Sequence, residues 1–170
     1  MKKWAIALLA AATLAPSALA AKDLAIGDAA PAWTLPSDRG GTVSLKGFQG
    51  KKVVVMAFYP KDETPGCTKE MQAFSADAAK FTAAGAAVFG ISRDSLDSHK
   101  KFKLSCALAI PLLSDMEGKV ATNYQSVMPV VGMFKRKTYV IDKKGIIRDV
   151  IDGMPDNKAL LATIAKIAKP

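Results

Sequence analysis

The sequence predicts one α/β domain: a mixed central sheet flanked by helices, with a β-hairpin ahead of it. Three observations carry this. Val53-Val54-Val55-Met56-Ala57 is an unbroken apolar run rich in β-branched residues, the pattern of a strand buried on both faces in mid-sheet. After it, helix-like and strand-like segments alternate, which implies parallel pairing through right-handed crossovers. Apolar segments around glycine-containing turns occur towards both ends, and these are hairpin signals.

The chain has 170 residues, half of them hydrophobic, enough for a single domain with a full core. Residues 1–20 read as a secretory signal peptide. Lys2 and Lys3 give a basic start, residues 4–15 an apolar stretch, and Ala18-Leu19-Ala20 a small-x-small cleavage site. The apolar stretch is too short to span a membrane comfortably, so export without stable membrane insertion is expected, and residues 21–170 form the domain. Cleavage removes Lys2 and Lys3 and takes the formal charge from +9 to +7. The remaining lysines are scattered and no nucleic-acid motif accompanies them. They read as a solvated surface, so no nucleic-acid partner is expected.

Residues 23–31 read as an extended arm. Trp33-Thr34-Leu35 and Thr42-Val43-Ser44-Leu45 flank Ser37-Asp38-Arg39-Gly40-Gly41 and make the first hairpin. The central strand comes next. Met71, Phe74, Ala78, Phe81 and Ala84 recur at helical spacing, so residues 71–84 form a helix, stopped by Gly85. Residues 86–92 are a second buried strand. Asp94 or Ser95 caps a helix through Leu96, His99, Phe102 and Leu104 to about Cys106, with His99 on its surface. Asp115 caps a short helix to Tyr124, and residues 127–133 are a loop. Thr138-Tyr139-Val140-Ile141, a turn at residues 142–145 and a strand over 146–151 make the second hairpin. Asp156 or Asn157 caps a last amphipathic helix that buries Leu160, Leu161, Ile164 and Ile167.

The chemistry concentrates in Phe58-Tyr59-Pro60-Lys61-Asp62-Glu63-Thr64-Pro65-Gly66-Cys67-Thr68-Lys69-Glu70. A strand ends, the chain turns through two prolines and a glycine, and a helix begins at a cysteine. First-turn N–H groups lack internal partners and the helix dipole is positive there. Both favour thiolate, so Cys67 is the candidate nucleophile. Pro60 precedes Thr64 by four residues and Cys67 by seven. Pro65 fixes φ without losing a needed N–H. Gly66 lets the backbone approach whatever lies over Cys67, and Thr64 can aim its hydroxyl at the same point. A merely packed cysteine would leave Thr64 and the prolines unexplained.

The other cysteine is Cys106. A C-x-x-C motif is absent, because Thr64 and Glu70 stand where it would need cysteines. The alternative from another class is a non-enzymatic binding module stapled by a Cys67–Cys106 disulfide. Two cysteines and one histidine, widely separated, lack zinc spacing, so neither metal nor other cofactor is expected.

Residues 59–70 resemble the active-site segment of the peroxiredoxins, which are thiol-dependent peroxidases. The similarity is greatest to the subgroup called bacterioferritin comigratory protein or peroxiredoxin Q. It extends from about Ile26 to the C-terminus. Arg136-Lys137-Thr138-Tyr139-Val140-Ile141-Asp142 is similar to the family segment in which an arginine leads into a strand beside the active site. The resemblance implies a thioredoxin-like fold and an enzyme reducing hydrogen peroxide and organic hydroperoxides. It implies Cys67 as peroxidatic nucleophile, Thr64, Gly66, Cys67 and Arg136 around the substrate, Pro60 shaping the site, and a thioredoxin-like or other thiol as reductant. A monomer in the bacterial periplasm is expected.

Cys67 thiolate would attack a peroxide oxygen and become a sulfenic acid. A cysteine of pKa about 8.5 is a few per cent thiolate at neutral pH, so full ionisation gains about thirty-fold, about 2 kcal/mol. A lowered pKa also weakens the nucleophile. Positioning and polarisation by Thr64 and Arg136 should therefore contribute more. Many similar chains carry a second cysteine five residues after the first, where this one has Gln72. Others carry it in the helix after the second strand, and Cys106 falls near the end of that helix. The resemblance thus makes Cys106 the candidate resolving cysteine. A disulfide needs Cα atoms roughly 4.4–6.8 Å apart, so local unwinding after Cys67 or across residues 98–109 is expected on oxidation.

Overall fold

The computed structural model describes residues 24–168. The expected signal peptide over residues 1–20, and Asp23 at the start of the arm, lie outside the described residues.

Strands β1 (Thr34–Pro36) and β2 (Thr42–Ser44) pair antiparallel as a separate hairpin. The central strand β3 (Val53–Phe58) is buried along its whole length. It pairs parallel with β4 (Ala86–Ser92), which pairs parallel with β5 (Leu112–Ser114). On its other side β3 pairs antiparallel with β6 (Lys137–Ile141), which pairs antiparallel with β7 (Ile147–Asp152). The order β5-β4-β3-β6-β7 makes a mixed sheet, as the sequence predicts. The arm lies against the start of β7, where Ala29 bridges Ile146.

Helices α1 (Pro65–Ala76) and α2 (Ala78–Ala83) come after β3, α3 (Leu96–Ser105) after β4, α4 (Lys119–Asn123) after β5, and α5 (Asn157–Ile167) closes the fold. Alternate residues of β3 feed two cores. Val53, Val55 and Ala57 pack with Met71 and Phe74 of α1, Phe81 of α2, Phe102 of α3 and Leu160 and Ile164 of α5. Val54, Met56 and Phe58 pack with Trp33, Leu35, Val120, Tyr124 and Phe134. This is the two-residue period of a strand covered on both faces.

Several expectations need correction. The helix read over residues 71–84 starts earlier, with Thr64 at the N-cap and Pro65 in the first turn. It is also two helices, broken at Asp77, whose φ of −97° and ψ of 6° leave the helical region. Side chains of Lys80 and Asn157 both donate to the Asp77 carboxylate, which holds the break. Asp115 is not the N-cap of α4. Gly118, at φ 70°, occupies that position, and the Asp115 carboxylate accepts instead from the Ala121 N–H at 2.8 Å. Ser95 and Asp156 do cap α3 and α5. His99 is not on the surface. It is fully buried, one turn from Phe102 on the inner face of α3, whereas Leu104 is 84% exposed.

Candidate active site

The pairing of Phe58 with Lys137 brings Arg136 to the end of β3, where the chain departs towards α1. The Arg136 carbonyl accepts from the Gly153 N–H at 2.9 Å, which fixes its backbone. Its side chain then crosses to the first turn of α1. One guanidinium nitrogen, Nη2, donates to Cys67 Sγ at 3.3 Å. The other, Nη1, pairs with Glu70 Oε2. Cys67 and Glu70 are three residues apart and so share a helix face, and both are 1% exposed.

Gly66 has a specific reason to be glycine. A Cβ there would stand 3.2 Å from Arg136 Nη2, closer than nearly all side-chain contacts. A Cβ would push the guanidinium aside by a few tenths of an ångström, so glycine lets Arg136 approach closely.

The electrostatics of this trio are set by burial. Burial works against the charge of Arg136, but the neighbouring Glu70 and Cys67 outweigh it and hold the guanidinium above its ordinary pKa. Burial pushes the Glu70 carboxyl up to about 7, with Arg136 pulling it only part of the way back. Glu70 Oε1 has no hydrogen-bond partner, which is why desolvation wins.

Thr64 is the N-cap of α1, and its hydroxyl, expected to aim at the same point as Cys67, donates to the Lys61 carbonyl at 3.1 Å. It turns back into the loop and makes no hydrogen bond to the helix start. Pro60 lies where the chain leaves β3. Cys106 forms the C-cap of α3, with Sγ 3.6 Å from Ser105 Oγ. It packs at the edge of the core cluster that contains Cys67, but both cysteines are free thiols. The structure thus brings together Cys67, Gly66 and Arg136. It places Thr64 in the same turn with its hydroxyl engaged elsewhere, and Cys106 is not bonded to Cys67.

Sequence reasoning misses two features. Glu70 is visible only as the last residue of the motif, although its spacing from Cys67 and Phe74 puts it on the buried face. Asp62 binds the imidazole of His99 at 3.0 Å beneath the loop. Burial works against the Asp62 carboxylate, but hydrogen bonds from His99, Tyr59 and Ser98 hold its pKa below the usual range. A histidine at helical spacing from Phe102 is the available signal. Among the described residues no group of three or more His, Cys, Asp or Glu side chains could hold a metal ion.

Residues 26–150 match the AhpC/TSA family. Over 123 residues the chain is 47% identical to the chloroplastic peroxiredoxin Q of Suaeda salsa, covering 72% of this chain and 57% of that one. It thus spans a little over half the length of the plant relatives it matches. Among solved structures it resembles peroxidoxin BcpB from Mycobacterium tuberculosis, with a TM-score of 0.77, 33% identity, and 85% and 98% of the two chains covered. It also resembles peroxiredoxin Q of Xanthomonas campestris, with a TM-score of 0.73, 30% identity and coverage of 81% and 92%.

Proposed function

The chain belongs to the AhpC/TSA family, in its bacterioferritin comigratory protein or peroxiredoxin Q branch, and has the thioredoxin-like fold of those structures; on that premise we propose that it is a thiol-dependent peroxidase acting through Cys67. The observation that carries the proposal is the guanidinium of Arg136 at 3.3 Å from Cys67 Sγ, inside a site where the cysteine is 1% exposed.

Cys67 thiolate attacks the terminal oxygen of a hydroperoxide. The S–O bond forms as the O–O bond breaks, and Cys67 becomes a sulfenic acid. The electron pair leaves with the second oxygen as hydroxide or alkoxide, which takes up a proton. Negative charge therefore spreads from sulfur over two oxygens. The Arg136 fork and the free N–H groups of the first turn of α1 are fixed donors for that charge. In a dry site such donors act more strongly than in water. Thr64 positions the turn as its N-cap, and its hydroxyl, which donates to the Lys61 carbonyl, keeps its lone pairs free to accept from a peroxide. Pro60 shapes the loop ahead of it.

In this reading Cys106 resolves the sulfenic acid as an intramolecular disulfide, and a thioredoxin-like or other thiol donor reduces it. Export to the periplasm through residues 1–20 is part of the same proposal. No observation favours a disulfide-stapled binding module, since Cys67 and Cys106 are free thiols. The test is thiol loss after mixing the reduced protein with one equivalent of hydrogen peroxide. Loss far faster than free cysteine, abolished in Cys67→Ser, is expected. Loss at the free-cysteine rate would refute the activity.

A further inference from the structure

We propose that Asp62 and His99 are positioning residues for the reaction at Cys67, latching the loop of residues 60–64 onto the first turns of α3. The inference rests on the peroxidase reading of Cys67. It starts from a polar cluster that no step of that reaction uses. Asp62 is 5% exposed, and His99 and Tyr59 are fully buried. The Asp62 carboxylate accepts from Tyr59 Oη at 2.7 Å, from Ser98 Oγ at 2.7 Å and from His99 Nδ1 at 3.0 Å. Its own main-chain N–H donates to Asp94 Oδ2 at 2.9 Å. Asp94 is in turn held by Ser92 Oγ at 2.7 Å. The loop that leads to Cys67 is thus tied, through one residue, to the end of β4 and the start of α3.

The cluster is costly, and an apolar pair would fill the space more cheaply. Burying a carboxylate and an imidazole opposes folding unless every bond is directional and satisfied. Here the Asp62 oxygens are satisfied, but His99 Nε2 has no partner. An ionised carboxylate only accepts, so Nδ1 carries the proton that binds it. The ring therefore contributes one aimed bond and leaves its other nitrogen unused. Phe102, one turn on and also fully buried, shows what packing alone selects at this face. The one thing His99 supplies beyond packing is the direction of the Asp62 side chain.

That direction matters because of the residue next to Asp62 in the chain. Glu63 has a φ of 59°, a left-handed conformation that costs a non-glycine residue energy and persists only where its surroundings impose it. Glu63 joins Asp62 to Thr64, and Thr64 is the N-cap of the helix that carries Cys67. Released from Asp62, this strained residue would relax and take the N-cap with it. The latch touches neither Cys67 nor the Arg136 fork, so it acts through Thr64 and the helix start. His99 forms no pair with Cys67, because Nδ1 is on Asp62 and Nε2 has no hydrogen-bond partner.

The test compares the parent chain with His99→Leu, His99→Asn and Ser98→Ala. The asparagine amide nitrogen can take the place of Nδ1. Four quantities are read: the rate of Cys67 oxidation by hydrogen peroxide, its alkylation by iodoacetamide, the melting temperature, and hydrogen exchange at the Asp62 amide. Misplacement of a reacting geometry by a distant change costs peroxide reduction much more than simple alkylation. His99→Leu should therefore oxidise about tenfold or more slowly, alkylate within about twofold of the parent, and exchange the Asp62 amide faster. His99→Asn should recover most of the oxidation rate. Ser98→Ala, which removes one of the three bonds to Asp62, should shift both readouts the same way and keeps the test valid if His99→Leu does not fold. Unchanged oxidation and unchanged Asp62 exchange in the folded variants would overturn the latch, as would equal losses of oxidation and alkylation. If the parent reacts no faster than free cysteine, the peroxidase reading fails by itself, while amide exchange still reports the latch.

Discussion

Replacing Glu70 by glutamine separates the charge of a buried carboxyl from its shape. Glu70 is 1% exposed, with one oxygen on Arg136 and the other without a partner. Burial pushes its pKa from an ordinary 4.5 up to about 7, and the attraction of Arg136 offsets only part of that. A raised carboxyl pKa means that, between those two values, the folded chain still holds a proton that the unfolded chain has released. Stability must then fall as pH rises through this window. Below it the carboxyl is protonated in both states and costs nothing. Above it the full cost applies, roughly 3 kcal/mol for a shift of this size. Glu70→Gln lacks the titration, and every other titrating group is common to both chains. The stability of the variant relative to the parent should therefore rise by roughly 3 kcal/mol between about pH 4 and about pH 8. With urea slopes of about 1–3 kcal/mol per molar, the difference in unfolding midpoints should change by about 1–3 M over that range. A difference that stays constant with pH would mean an unshifted Glu70 carboxyl, and one that falls would mean that Arg136 holds it ionised; either would refute the claim that desolvation dominates this pair.

Arg136→Lys keeps the charge but loses the planar fork that sets one guanidinium nitrogen on Glu70 and the other on Cys67. The peroxide rate should fall by about tenfold or more, about 1.4 kcal/mol; an unchanged rate would reduce Arg136 to a local charge. Peptide mapping of peroxide-treated protein should find an intramolecular Cys67–Cys106 disulfide that is missing in Cys106→Ser. A sulfenic acid that persists equally in both chains would remove Cys106 from the mechanism. Gly90→Ala would put a Cβ 2.7 Å from Met71 Sδ and 2.8 Å from Leu112 Cδ2. Overpacking of this kind should cost about 1–3 kcal/mol in thermal or urea unfolding, and an unaltered melting temperature would mean that the core yields freely there.

What the sequence reveals here is what is periodic or local. The apolar run of β3 announces a strand covered on both faces because each of its residues enters one of two cores. Ser95 and Asp156 announce helix starts because a cap is a short-range hydrogen bond. Strand β5 has three residues, too few to establish a period. The break at Asp77 is held in part by Asn157, eighty residues away in the chain, a partner that nothing within the helix signals.

The same distinction divides the site. Cys67, Gly66 and Thr64 lie within four residues of one another and are legible together, whereas the Thr64 hydroxyl's partner is a rotamer choice and is not. Arg136 is found through the resemblance and not through any pattern of its own. Its partner Glu70 lies 66 residues away, and becomes its partner only once β6 has docked on β3. The sequence expectation puts His99 on the surface because it weighs the polarity of the residue and not its phase on α3. A charged or polar group on the inner face of a helix is costly enough to need a partner, so that phase is the reason to search for one. Asp62, an acid held between Pro60 and Pro65 in a loop that must be shaped rather than merely solvated, is the residue such a search would find.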